Sequence, residues 1–226
     1  MGMGRMIKYG RCLQRDAFIL AKCKDKKILH VGCTDHPFFE INLLEGNLLH
    51  QKVASIDTQK LVGIDVAGDD VYRMQSLNYD VRLVNAESMA SDLRSERFDI
   101  VLLADVIEHI QNPGIVIRES MQLLEQDGKI IISVPNAFGI IRFLKSFFRY
   151  EQVHPDHICY YSFATLETLA DRMGLEVIEI NWYQFEARDK RLIVKISASL
   201  ERVFTRFFPW QAEGCIALLK KKNDLN

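Results

Sequence analysis

Short, unbroken apolar runs alternate with longer amphipathic stretches from about Lys26 onward. The runs are Ile28–Val31, Leu61–Ile64, Val81–Val84, Ile100–Leu103 and Ile130–Val134. They are rich in Val, Ile and Leu and lack the in-and-out polarity of a strand with one wet face, so they predict parallel strands covered on both sides. The intervening stretches predict crossover helices, and the order as a whole predicts an α/β, doubly wound, mostly parallel sheet. A helix is expected from Asn112-Pro113, with Asn112 capping and Pro113 in the first turn, running past Leu123 and Leu124 to Asp127-Gly128. Another is expected from Ser162 to Met173, where Phe163, Leu166, Leu169, Ala170 and Met173 form one apolar face before Gly174.

The tail departs from this alternation. Glu176–Phe185 and Gly214–Leu219 read as strands, and Lys190–Phe208 as a basic amphipathic helix. Met6–Cys23 reads as a covering helix within an N-terminal segment, residues 1–25. Residues 135–161 form a connection long enough to be a substrate lid or insertion, with a short helix over Ile140–Tyr150. With 226 residues, one domain spanning 1–226 is expected.

Composition narrows the function classes. A net charge of −1 provides no global field for nucleic acid. Five cysteines at irregular spacing, with no C-x-x-C pair, argue against a disulfide framework or a structural zinc site and fit a reduced, cytoplasmic setting. No apolar run is long enough for a transmembrane segment. The stretch 190–210 interleaves Lys190, Arg191, Lys195, Arg202 and Arg206 with Phe204, Phe207, Phe208 and Trp210. It reads as a helix packed on the sheet with a wet basic face, and peripheral membrane contact is the lesser reading.

Candidate chemistry sits at strand ends. Gly32 follows the first strand, where a glycine lets the backbone approach a ligand. Asp65 ends the second strand, where a carboxylate can accept from ribose hydroxyls. Asn85-Ala86-Glu87-Ser88 follows the third, with a backbone amide and short polar side chains suited to an adenine edge. The fourth runs directly into Asp105, Glu108 and His109. Gly32-Cys33-Thr34-Asp35-His36-Pro37 lacks the G-x-G-x-x-G of a nicotinamide site, which argues against an oxidoreductase on a similar sheet.

The stretch FDIVLLADVIEHIQNPGIVIRESMQLLEQDGKIIISVPN resembles the fourth- to fifth-strand region of class I S-adenosylmethionine-dependent methyltransferases, in particular the subgroup of ubiquinone-biosynthesis O-methyltransferases and related small-molecule enzymes. KKILHVGCT, LVGID and NAES match the family's first three motifs in order, and HICYYSFATLETLADRMGLEVIEI its later helix and strand. The resemblance implies a Rossmann-like seven-stranded sheet with an antiparallel last strand, and S-adenosylmethionine as cofactor. It implies that Gly32 and Cys33 pass near the methionine part and Asp65 holds the ribose. Val66 would then lie against the adenine, Ala86 and Glu87 at its edge, and Asp105 and Val106 near the sulfonium. The acceptor is expected to be a small molecule or a glycan-type compound, with methylation of oxygen favoured over nitrogen or carbon. The glycan reading rests on the likeness of GCTDHPF and Asn112-Pro113-Gly114 to methyltransferases of bacterial surface-polysaccharide pathways. The first motif departs from the family: His30 stands where an acid is usual, and Thr34 and His36 where glycines are. A catalytically degenerate relative that keeps the fold as a binding module is therefore the alternative.

A hydroxyl acceptor calls for a general base, and His109 and His157 are the candidates, with His154 nearby. No metal is assigned. A divalent ion on Asp105, Glu108 and His109 would need a helix starting at Asp105, so that i, i+3 and i+4 share one face.

Overall fold

The computed structural model describes residues 6–7, 10–151, 153–185 and 192–222, and the side chains of 192–198 lie outside that description. Lys190 and Arg191, at the start of the expected tail helix, fall outside it, as do parts of the N-terminal segment.

The chain begins with a two-residue strand, β1 (Cys12–Leu13), followed by α1 (Arg15–Cys23). β2 (Lys27–Val31) leads through α2 (Phe39–Leu44) and α3 (Leu49–Ala54) to β3 (Lys60–Asp65). Next come α4 (Gly68–Ser76), β4 (Val81–Leu83), α5 (Met89–Asp92), β5 (Phe98–Ala104), α6 (Pro113–Gln122) and β6 (Leu124–Pro135). α7 (Ile140–Ser146), α8 (Phe163–Arg172), β7 (Leu175–Tyr183), α9 (Leu192–Phe207) and β8 (Gly214–Lys221) complete it.

Among the described residues the strands form one sheet in the order β1-β7-β8-β6-β5-β2-β3-β4. β8 inserts antiparallel between β6 and β7, and every other pairing is parallel. The seven expected strands are present, and β1 is an addition at the edge. The N-terminal segment is therefore not one helix. Cys12 and Leu13 pair with Trp182 and Tyr183, and the helix starts only at Arg15.

Alternation along the central strands divides the core. Ile28, Ile100, Leu102 and Ile131 face Phe18 and Ile19 of α1 and Leu49 and Val53 of α3. Leu29, Val101, Leu103, Ile130 and Ile132 point the other way, into Val116 and Ile117 of α6 and Phe163 and Leu166 of α8. Both faces are covered, which is why these strands carry no polar alternation.

Helix ends differ from the expectation at one place. α6 stops at Gln122, and Leu124 through Gly128 already belong to β6, so Asp127-Gly128 does not end the helix. Asn112 holds the cap position without a side-chain cap bond. α8 does carry its cap: the Ser162 hydroxyl and the Thr165 side chain bond each other's backbone N–H reciprocally. α9 turns Leu200, Val203, Phe204 and Phe207 outward beside Arg202 and Arg206, so its exposed face is mixed rather than purely basic. No helix among the described residues is long and apolar enough to cross a membrane.

Strand order reverses at β2. The chain leaves β2 for β3 and β4 on one side, then returns to lay β5 on the other. The carboxyl ends of β2 and β5 therefore flank the position where an open α/β sheet leaves a crevice.

Candidate active site

A cavity of about 1060 Å³ opens at that position. This is at the upper end of the roughly 300–1,000 Å³ of small-molecule pockets, which leaves room for two ligands side by side. Gly32, Asp65, Val66, Ala86, Asp105 and Val106 all line it. The turn after β2 and the acid after β3 thus share one crevice.

Their proximity is built by the backbone. Gly32 and Cys33 N–H both donate to the Ile64 carbonyl, at 2.9 and 3.2 Å. The Asp65 carboxylate then reaches across to the same turn: Oδ2 accepts from Thr34 N–H at 3.0 Å and from its hydroxyl at 2.8 Å. Oδ1 accepts from the N–H groups of Val66 and Ala67. Gly32 has φ +70°, and a Cβ there would lie 2.7 Å from Val106 Cγ2. Glycine is thus required both by conformation and by the close pass of the Asp105–Val106 turn.

Two of the expected contact residues lie elsewhere. The Cys33 side chain is buried with Phe39, Leu48, Val71 and Met74, so only its backbone belongs to the turn. Glu87 points away, into a separate shallow depression beside Arg94 and Glu119. The cavity is met instead by Asn85, whose Oδ1 accepts from Glu87 N–H and shapes the loop, and by Ala86. Alternation at the turn placed Cys33 inward, and the Asx turn at Asn85 rotated Glu87 outward.

Asp105 sits at φ +53°, a strained conformation for a side-chain-bearing residue. Three groups hold it there. The Arg15 guanidinium pairs with Oδ2, while the Tyr183 hydroxyl donates to Oδ1 at 2.8 Å and the Ser133 hydroxyl at 3.2 Å. Burial works against the Arg15 charge, and Asp105, Tyr183 and Asp16 outweigh it, keeping Arg15 protonated. Burial and Asp105 push the Tyr183 phenol well above its usual value, so it remains a donor. Arg15 and Tyr183 were not singled out by sequence, because neither belongs to a strand-end motif and they meet Asp105 only through β1–β7 pairing and the start of α1.

No helix begins at Asp105; helical structure resumes at Pro113. Asp105, Glu108 and His109 therefore do not share a helical face. Glu108 is fully buried, both of its carboxylate oxygens lack a hydrogen-bond partner, and burial followed by Asp105 raises its pKa well above the usual range. Its backbone carbonyl instead accepts from Ile158 N–H at 3.0 Å, which ties the His154–Tyr161 segment to the β5 turn.

That tie brings the histidines together. Ring centroids of His109 and His157 are 4.5 Å apart, His154 and His157 5.1 Å, and His109 and His154 5.6 Å. All three line the cavity. Burial lowers the pKa of His109 and, with the neighbouring imidazoles, that of His157 to about 4, so both rings are neutral at pH 7. Phe38, from the loop after β2, meets His154 edge-on at 6.1 Å, so the two loops touch beside the cleft. His30, where an acid was expected by resemblance, is buried and stacked on His50 with Nδ1 atoms 3.3 Å apart, away from the cavity lining.

A family model described as a methyltransferase domain matches residues 8–180. The chain belongs to the class I S-adenosylmethionine-dependent methyltransferase family. The ubiquinone biosynthesis O-methyltransferase of Azorhizobium caulinodans is 30% identical over 138 residues, covering 58% of this chain and 47% of that one. The chain thus spans about half the length of the curated relatives it matches. In fold it is similar to an S-adenosylmethionine-dependent methyltransferase from Archaeoglobus fulgidus, with TM-score 0.57, 15% identity and coverage of 91% and 90%. It is also similar to the N-methyltransferase NodS from Bradyrhizobium japonicum in complex with S-adenosylhomocysteine, with TM-score 0.54, 13% identity and coverage of 92% and 86%.

The family's cofactor is S-adenosylmethionine, and the cleft fits it. Gly32 leaves a gap that a Cβ would fill, Asp65 presents a carboxylate, and Val66 is a two-thirds exposed apolar side chain on the cavity wall where an aromatic base could stack.

Proposed function

We propose that this chain transfers a methyl group from S-adenosylmethionine to a hydroxyl of a small-molecule or glycan-type acceptor. The carrying observation is one cleft whose one end holds Gly32 and Asp65 and whose other end holds the three imidazoles of His109, His154 and His157. The relatives named ubiquinone biosynthesis O-methyltransferase support oxygen as the atom methylated.

In this reading Gly32 and the backbone of Cys33 pass the methionine part, Asp65 holds the ribose, and Val66 and Ala86 flank the adenine. The locked Asp105–Val106 turn fixes the floor beneath the sulfonium. The cofactor supplies a methyl carbon made electrophilic by its sulfonium. The protein's task is alignment and exclusion of water. Phe38, His154 and the α7 segment, whose Arg142 and Lys145 also line the cleft, shape the acceptor end. One of His109 and His157 receives the hydroxyl proton as the oxygen bonds to carbon and the C–S pair returns to sulfur.

Two measurements test this. Calorimetry with S-adenosylhomocysteine should show one site per chain, abolished by Asp65→Ala. Methyl transfer to a panel of phenols, catechols and sugar hydroxyls should yield an O-methyl product. Absence of S-adenosylhomocysteine binding by a folded protein would overturn the proposal in favour of a degenerate binding module.

A further inference from the structure

The imidazole cluster has features that a proton acceptor does not need. His109, His154 and His157 each offer one ring nitrogen such that the three lie within 4.8 Å of one another. A tetrahedral zinc-type ion with bonds of about 2.0–2.1 Å requires its ligand nitrogens about 3.3 Å apart. The separation left over is within reach of small rotations of imidazoles on a turn and a loop.

Two further details point to a ligand. The Nδ1 of His157 is buried and has no hydrogen-bond partner. A polar atom left so costs free energy unless something in the site satisfies it. His154 Nδ1 accepts a long bond, 3.3 Å, from Asp156 N–H and lies 3.8 Å from the Asp156 carboxylate, both weak enough for a metal to displace.

We infer that His109, His154 and His157 form a three-imidazole site for a divalent transition cation of the zinc or cobalt class, open toward the cleft. The donor set selects the ion. There is no carboxylate among the three, so magnesium and calcium, which take oxygen ligands, are disfavoured, while imidazole suits zinc, cobalt, nickel and copper. Three protein ligands with a free fourth position is the arrangement of a catalytic rather than a structural site. This deepens the proposed O-methylation and rests on it for its role. An acceptor hydroxyl in the fourth position would release its proton to solvent water, and its lone pair would form the O–C bond as the C–S pair returns to sulfur. With the cation bound, the imidazoles would serve as its ligands, and it would be the cation that acidifies the hydroxyl, in place of proton transfer to His109 or His157 in the metal-free cleft.

Cobalt(II) is the probe. Titrated into the chelator-treated full chain, it should saturate at one equivalent and give the intense visible bands of four- or five-coordinate cobalt, without a thiolate charge-transfer band. His154→Ala and His157→Ala should each weaken binding at least tenfold, while S-adenosylhomocysteine calorimetry and the circular dichroism of both variants stay unchanged. Weak pink six-coordinate cobalt, or equal binding by the parent and a triple His→Ala variant, would overturn the site. The two readings separate cleanly. Cobalt failing while S-adenosylhomocysteine binds removes the metal site alone, and the reverse removes the methyltransferase reading alone.

Discussion

Thr34, which stands where the resembling family usually has glycine, and His50, which stacks on His30, each lead to a measurement. Asp65 already accepts four hydrogen bonds, two of them from Thr34. A carboxylate has about four lone-pair sites, so a ribose hydroxyl must displace one of these donors. The Thr34 hydroxyl, a side-chain group that can rotate away, is the one that yields. Thr34→Ala should tighten S-adenosylhomocysteine binding by about 1 kcal/mol, roughly fivefold, since one neutral hydrogen bond no longer competes. Calorimetry of the two proteins reads it, and weaker binding by the variant would contradict the competition. His50 is buried beside His30, and burial drives its pKa down to about 4. The folded state therefore keeps His50 neutral where the unfolded chain, near pKa 6.5, takes up a proton. Stability from this group is present above about pH 6.5 and is lost as pH falls toward 4. Glu108 and Glu201, whose folded pKa values are raised, work in the opposite direction over much of that range, so the parent's own curve mixes the two. The informative quantity is the gap between parent and His50→Leu. Relative to His50→Leu, the parent should lose about 1.4 kcal/mol of stability per pH unit as pH falls from 6.5 toward 4, measured by denaturant unfolding at a series of pH values. A difference independent of pH would mean that His50 takes up its proton as readily in the fold as in the unfolded chain.

At the scale of elements, α1 does more than cover the sheet. Its first residue, Arg15, clamps Asp105 at the end of β5, and Tyr183 at the end of β7 clamps the other oxygen. Removing the cation leaves a partly buried carboxylate facing a phenol and a serine. Arg15→Leu should cost about 2–3 kcal/mol, less than the 3–5 of a fully buried pair because both side chains keep about a fifth of their surface. It should also lower the affinity for S-adenosylhomocysteine, because the Asp105–Val106 turn packs on Gly32. Restoration of stability in Arg15→Leu/Asp105→Asn, with affinity still reduced, would show that the charge was paired for folding and the turn held for binding. Elements of this kind also mark where the sequence stopped being readable. β2, β3, β5 and β6 were plain from their apolar runs because both faces are buried, and α8 from its apolar face and the Gly174 that ends it. The end of α6 was missed because Leu123 and Leu124 continue a helical apolar pattern into a strand that buries the same residues. β1 was missed because two residues carry no periodicity. Gly32, Asp65, Ala86 and Asp105 were found because strand ends locate them. Arg15, Tyr183 and the meeting of His109 with His154 and His157 were not resolvable, since each depends on a contact between segments far apart in sequence.

For the molecule as a whole, the sheet separates two tasks along one cleft. The β2 and β3 ends, with Gly32 and Asp65, belong to the framework of parallel strands. The acceptor end is assembled from the β5 turn and the long connection between β6 and β7, which carries α7 and the histidine segment. If that division holds, ligand at the framework end should stabilise the fold independently of the histidines. A ligand that binds only the native state contributes about 2.7 kcal/mol at one hundred times its Kd. For a chain of this size each kcal/mol moves Tm by about 2–4 °C, so saturating S-adenosylhomocysteine should raise Tm by about 5–10 °C. His109→Ala should show the same rise while losing methyl transfer. Asp65→Asn should lose most of the rise, because a neutral amide accepts more weakly and its NH₂ faces the donors of Val66, Ala67 and Thr34. A His109 variant that lost the thermal shift along with activity would mean that the two ends are one cooperative site, closed by the loops that meet where Phe38 touches His154.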